Sequence, residues 1–180
     1  QMMTAQFYKW TKPNKIVTSG SLGTMGVGLP YAIGVQIANP DKIVICIDGD
    51  GSFNMTSNDL ATIAKYQLPI IIFIMNDGRQ QMVHVWQKLF FNENYIATDN
   101  YNPDYCKLAN SYNIKNYRIS NSDELNNIFN NIFYKNEPIL IDFKVEPDTC
   151  YPLVPPGNSL SNILINENDN ILLNKSLAPS

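Results

Sequence analysis

The stretch KIVICIDGDGSFNMT, residues 42–56, carries an apolar, β-branched run directly into two acids, two glycines and a serine. IVICID (43–48) is short and lacks polar alternation, which reads as a strand covered on both faces, the pattern of a parallel sheet. IIIFIM (70–75) and ILIDFKV (139–145) have the same character. Between the first two lies TSNDLATIAKYQLP, in which Thr56 and Asp59 form a capping-box pattern and Leu60, Ile63 and Ala64 keep helical spacing up to Pro69. Together they make one βαβ unit. Further on, PDYCKLANSY and SDELNNIFNNIFYK read as helices, the second with Leu125, Ile128, Phe129, Ile132 and Phe133 on one stripe, and NYRI is a short strand between them. Near the N-terminus, MMTAQFYKW and GTMGVGLPYAIGVQIA also read as helical, the latter glycine-rich enough to pack closely on a neighbouring backbone.

This alternation predicts an α/β fold, a doubly wound and mostly parallel sheet with helices on both faces. Residues 1–150 read as one domain and residues 151–180, rich in Pro, Asn and Ser, as a partly irregular arm with one short helix. At 180 residues, 44% hydrophobic and 16% charged, the chain is large enough to bury a core. A net charge of −3 with no polybasic run argues against nucleic acid as a partner, and the apolar runs are too short to span a bilayer. The chain opens on Gln1 without a signal-peptide pattern, and so reads as a soluble piece of something longer. Cys46, Cys106 and Cys150 have no CxxC spacing and read as buried thiols in a reducing compartment, cytoplasm or plastid.

Ligands of open parallel sheets bind at the carboxyl ends of the strands. Gly49 and Gly51 allow close backbone approach at such an end, and Asp50 between them offers a hard oxygen donor. The second strand ends in MNDGRQQM, which places Asn76 and Asp77 at the equivalent edge, Asp77 27 residues beyond Asp50, the size of one crossover. Asp-Gly pairs are common turn formers, but two acid-bearing strand ends at this spacing suit an octahedral Mg²⁺ site completed by diphosphate and water. The GxGxxG pattern of dinucleotide folds is absent after the first strand.

GDGSF followed by NDG resembles the thiamine diphosphate motif of thiamine-dependent enzymes. With QMMTAQFYKW, TSGSLGTMGVGLPYAIG, DGDGSFNMTSNDLATI, QMVHVWQKLFFNENY and YPLVPPGNSL around it, the chain resembles, from residue 1 to about 160, the C-terminal cofactor-binding domain of acetolactate synthase large subunits. The resemblance implies a transferase that decarboxylates pyruvate and condenses the hydroxyethyl group with a second 2-ketoacid, in branched-chain amino acid biosynthesis. It implies Mg²⁺ ligation by the side chains of Asp50 and Asp77 and the main-chain oxygen of Arg79, with Gly49, Gly51 and Ser52 along the diphosphate. Gly23 and Met25, with Thr24 between them, would hold the aminopyrimidine and enforce its bent conformation. Gln81 and Met82 would also lie against the cofactor, and Met82, Val83 and Trp86 near a substrate channel.

By the same resemblance FAD sits mostly on another domain, and the catalytic glutamate comes from a further domain of the partner subunit in a homodimer or tetramer, which a regulatory subunit can join. This chain alone is then expected to be inactive. Pyruvate oxidase, glyoxylate carboligase and oxalyl-CoA decarboxylase share the GDG pattern. Three departures stand out: Asp77 where the family has asparagine, Gln81 where it has glycine, and Val85 where it has glutamine. They leave open a degenerate assembly module without catalysis, and a flavodoxin-like nucleotide binder ranks last. His84, the single histidine, reads as a helix-surface residue.

Overall fold

In the computed structural model the described residues are 1–134, 136–166 and 168–169. The elements follow the order α1 (Met2–Phe7), α2 (Gly28–Ala38), β1 (Val44–Gly49), α3 (Asp50–Asn54), α4 (Leu60–Tyr66), β2 (Ile70–Asn76), α5 (Gln81–Phe90), α6 (Tyr105–Ser111), β3 (Lys115–Ile119), α7 (Ser122–Ile132) and β4 (Ile139–Lys144), with short 3-10 turns at Gly20–Leu22, Ser57–Asp59 and Leu160–Asn162. The chain forms two compact units, one of Gln1–Arg79 with Asn100–Glu146, the other of Gln80–Asp99 with the residues from Pro147 onward.

The first unit contains the sheet. Its four strands are all parallel, in the order β1-β2-β4-β3. Because side chains alternate along a strand, β2 divides its isoleucines between two cores. Ile70, Ile72 and Ile74 join Val44, Cys46 and Leu140 against Leu29 of α2, Phe53 of α3, Leu60 and Ile63 of α4, and Tyr105 and Ala109 of α6. Ile71 and Phe73 join Ile139, Ile141 and Ile119 against Ile132, Leu125 and Ile128 of α7. Helices therefore cover both faces, as the sequence pattern predicts.

Local chemistry explains several element ends. Gly28 opens α2 where a Cβ would lie 2.5 Å from Asp48 Oδ2, so only glycine lets this helix approach β1 so closely. The Asp104 side chain caps α6 by accepting from the Cys106 and Lys107 N–H groups. At α7, Asn121 Oδ1 accepts from Glu124 N while Glu124 Oε2 accepts from Ser120 N, a reciprocal cap.

Two sequence expectations are corrected. Thr56 makes no side-chain cap, because its hydroxyl instead donates to the Gly26 carbonyl at 2.8 Å. β1 is not covered on both faces: Ile43, Ile45 and Ile47 are 61, 41 and 37% exposed, since β1 is the edge strand and α7 packs on the strands beyond it.

In the second unit, Val85 and Leu89 of α5 pack with Leu153 and Leu164, which are joined by an antiparallel bridge. Within the expected arm a 3-10 turn forms at Leu160–Asn162; residues 167 and 170–180 of that arm lie outside the described residues. No described helix is long and apolar enough to cross a membrane.

Two measurements check this packing. Leu140 is fully buried, so Leu140→Ala is expected to lower the stability of this chain by about 2–5 kcal/mol in urea unfolding; Ile45→Ala, at a 41% exposed site, is expected to cost less than about 1 kcal/mol. Burial, followed by the charge of Asp48, pushes the Cys46 thiol up to about 12, so native-state alkylation near pH 8 is expected to leave Cys46 unmodified.

Candidate functional site

The carboxyl ends of β1 and β2 are adjacent, with Gly49 in register with Met75. The chain leaves β1 through an extended Gly49 and turns into α3, whose first residue is Asp50, only 1% exposed. Asp50 Oδ2 accepts from the side-chain amides of Asn100, at 3.1 Å, and Asn102, at 2.5 Å. Such charge-assisted bonds are about twice as strong as neutral ones, and they offset part of the cost of taking the carboxylate out of water.

Carboxylates only accept, and this fixes the direction of a longer network. The Asn102 amide nitrogen also donates to Asn76 Oδ1 at 3.2 Å, and Asn76 in turn donates to Asp142 Oδ1 at 2.8 Å. On the other side, Asn102 Oδ1 accepts from Asn54, whose own oxygen accepts from the Tyr105 hydroxyl at 2.9 Å. Burial, then the charge of Asp50, raises the Tyr105 phenol, which keeps it a donor. Asp142 is fully buried and is held on its second oxygen by Arg118 Nε at 3.0 Å.

Asp77 follows Asn76 and is half-buried. Its Oδ1 accepts from Arg79 N at 3.0 Å across Gly78, which adopts φ +76° to close the turn. Burial raises the Asp77 carboxyl above its ordinary value; the Arg79 N–H opposes the rise and the negative charge of Asp50 adds to it. The two carboxylates therefore sense each other at the strand ends.

A third segment reaches the same turn. Gly23, at φ +56°, ends the 3-10 turn, and Thr24 N donates to Ser19 Oγ. Gly26 N donates to Ser52 Oγ at 2.9 Å while Gly26 O accepts from Thr56, so the Gly23–Met25 loop is tied to the segment after Gly51. Met25 is 39% exposed. Asp48 Oδ2 is buried without a hydrogen bond, and burial raises this carboxyl, with the Ser52 hydroxyl and the Gly49 N–H pulling the other way.

The first unit thus carries Gly49, Asp50, Gly51, Ser52, Asp77 and Arg79 at the carboxyl ends of β1 and β2, and Gly23, Thr24 and Met25 on a loop whose next residue, Gly26, is bonded to Ser52 and Thr56. The remaining sequence-picked residues lie on α5 in the second unit. Gln81 donates to the Asp148 carbonyl at 3.1 Å and leaves its own oxygen buried without a partner. Met82, Val83 and Trp86, with Phe90, Phe91 and Ile96, line an open cleft of about 650 Å³. Val85 is 3% exposed and belongs to that unit's core. His84 is not a bare surface residue: its ring stacks on Tyr95 at 4.1 Å and its Nδ1 meets Thr98 Oγ1 at 3.2 Å.

Sequence reasoning set Asn76 at the strand edge beside Asp77 without giving it a role, and it missed Asn54, Asn100 and Asn102. The signal was the polar run DNYNPD before α6, hidden by the asparagine richness of the whole chain.

The donor chemistry fits a hard divalent cation. Two carboxylates stand at the carboxyl ends of adjacent strands, and the charge of Asp50 adds to the rise of the Asp77 carboxyl, an excess that a cation relieves. Among the described residues no group of three His, Cys, Asp or Glu side chains stands together for a metal, so further ligands there would be main-chain, phosphate or water oxygens, as Mg²⁺ prefers.

Comparison with known proteins gives a family. The C-terminal TPP binding domain of thiamine pyrophosphate enzymes matches residues 1–143. The mitochondrial acetolactate synthase of Schizosaccharomyces pombe is 43% identical over 93% of this chain and 25% of its own length. The isozyme 2 large subunit of acetolactate synthase from Escherichia coli is 40% identical over 91% of this chain and 30% of its own length. The chain thus spans roughly a quarter of the length of the curated relatives it matches. Among solved structures, the thiamine diphosphate-dependent 4-hydroxybenzoylformate decarboxylase of Rhodococcus jostii superposes with a TM-score of 0.66 at 29% identity, covering 71% of this chain and 24% of that one. On these matches the chain belongs to the thiamine pyrophosphate enzyme family, as its C-terminal TPP binding domain.

Proposed function

We propose that this chain is the cofactor-binding portion of an acetolactate synthase catalytic subunit. The observation that carries the reading is the pairing of Asp50 and Asp77 at the carboxyl ends of adjacent parallel strands, in a chain about 40% identical to acetolactate synthases over nine-tenths of its length. Thiamine diphosphate, when bound, supplies the carbanion-stabilising centre at which pyruvate loses CO₂ and its two-carbon remainder joins a second 2-ketoacid.

The chain's own residues bind and orient. Asp50 and Asp77 would hold Mg²⁺ through their side chains, with the main-chain oxygen of Arg79 as a third ligand. Gly49, Gly51 and Ser52 would present backbone to the diphosphate, and the space beside Gly49 is open, with nothing within 4 Å of where a Cβ would stand. Ser52 also fixes Gly26, which follows the loop of Gly23, Thr24 and Met25; there the Gly23 carbonyl would accept from the aminopyrimidine and Met25 would supply an apolar wedge. In the family resemblance Gln81 and Met82 correspond to cofactor-binding positions, and Met82, Val83 and Trp86 to positions near the substrate; on this chain those of them that line the open cleft are Met82, Val83 and Trp86. FAD, the catalytic glutamate and the dimer or tetramer belong to the whole protein, so turnover is assigned to the assembly.

Gln81 carries the second reading, a non-catalytic module. A side chain replaces the glycine expected there, and its amide is already engaged with Asp148.

Calorimetric titration of thiamine diphosphate separates the two. The enzyme reading expects binding that requires Mg²⁺ and weakens at least about tenfold, or ~1.4 kcal/mol, in Asp50→Ala. Binding that appears only in Gln81→Gly would favour the closed module, and flavin binding without Mg²⁺ dependence would sink both. Ser52→Ala is expected to leave Gly26 N–H without its acceptor, costing about 1 kcal/mol, with faster hydrogen exchange at Gly26 and weaker cofactor binding as readouts.

A further inference from the structure

The asparagines around Asp50 do more than satisfy a buried group. Both amide donors, from Asn100 and Asn102, reach Oδ2, and neither reaches Oδ1. Asp77 shows the same division, because its Oδ1 is engaged by Arg79 N–H. Each acid therefore keeps one oxygen occupied by a hydrogen bond and has one to offer. The division at Asp50 is rigid. Asn102 cannot flip its amide, since Asp50 accepts from its nitrogen on one side while Asn54 donates to its oxygen on the other. Asn76 is locked in turn by Asp142, and so its oxygen faces the second hydrogen of the Asn102 amide.

Cations differ in what they ask of a carboxylate. Mg²⁺ is small, demands an octahedron at short distances, and is commonly held by one or two carboxylates together with phosphates and water. Ca²⁺ takes six to eight oxygens at longer distances and readily uses both oxygens of one carboxylate. An acid whose second oxygen is held by two amide N–H groups can chelate only by giving those bonds up.

We infer that Asn100 and Asn102 set the cation preference of this site: by occupying Asp50 Oδ2 they make Asp50 a one-oxygen ligand, which favours Mg²⁺ over Ca²⁺. The inference rests on the cofactor reading given above. Asn100 and Asn102 are positioning residues, acting through Asp50.

The test measures the affinity of the chain for Mg²⁺ and for Ca²⁺ by calorimetry at saturating thiamine diphosphate, for the unmodified chain, Asn102→Ala, Asn100→Ala and Asp50→Ala. Asn100→Ala spares the links to Asn54 and Asn76, and so keeps the test informative if Asn102→Ala folds poorly; thermal melting reports folding separately. The expected result is a loss of Mg²⁺ affinity of about tenfold or more in Asn102→Ala, with a smaller loss for Ca²⁺, so that the ratio of the two narrows at least about threefold. Asn100→Ala should move the ratio the same way. Equal losses for both cations, or a lowered melting temperature with an unchanged ratio, would overturn the inference and leave the asparagines a purely structural task. A chain that binds neither cation, with or without Asp50, would overturn the cofactor reading itself and the inference with it, an outcome distinct from the preceding two.

Discussion

Withdrawing a carboxylate from water costs several kcal/mol unless donors replace the water it loses, and Asp50 is withdrawn almost completely. Its two amide donors come from the segment ahead of α6, some fifty residues along the chain. To deliver them, that segment must return to the carboxyl end of β1, and the Tyr105 ring packing edge-on against Phe53, with centroids 5.5 Å apart, helps to keep it there. The position of α6, the turn after β2 and the depth of Asp50 are thus parts of one arrangement. A sheet end that would otherwise be a set of loops becomes a defined, oriented group of oxygens.

The network has a polarity imposed from both ends. Asp50 and Asp142 are both acceptors, so every amide between them has its orientation fixed. Arg118, bridging Asp142 and the α6 cap Asp104, anchors the far end close to the surface. Networks of this kind are satisfied as a whole or fail as a whole. That is a reason for asparagine rather than aspartate or serine at position 102: a carboxylate cannot donate and a hydroxyl has a single hydrogen, whereas the amide donates to Asp50 and Asn76 while its oxygen accepts from Asn54.

Much of this was legible in the sequence. The β-rich runs, the helical stripe of α7 and the crossover spacing from Asp50 to Asp77 depend on periodicity and chain length, which survive without tertiary information. The Asn100 and Asn102 contacts depend on which polar residues the fold carries back to one point, and in an asparagine-rich chain nothing local separates those two from the rest. Thr56 failed for a related reason: its capping pattern was sound, but a carbonyl from thirty residues earlier competed for the hydroxyl and won. The exposed face of β1 was unreadable because an apolar run does not reveal how many neighbours its strand has.

That face has a practical side. In the described residues β1 ends the sheet, and its outward isoleucines carry neither the charges nor the proline with which edge strands usually discourage new partners. A strand of this composition, handled at high concentration in isolation, is a template for cross-pairing between molecules and hence for precipitation. In the chain by itself, this edge is the place where self-association is expected to begin.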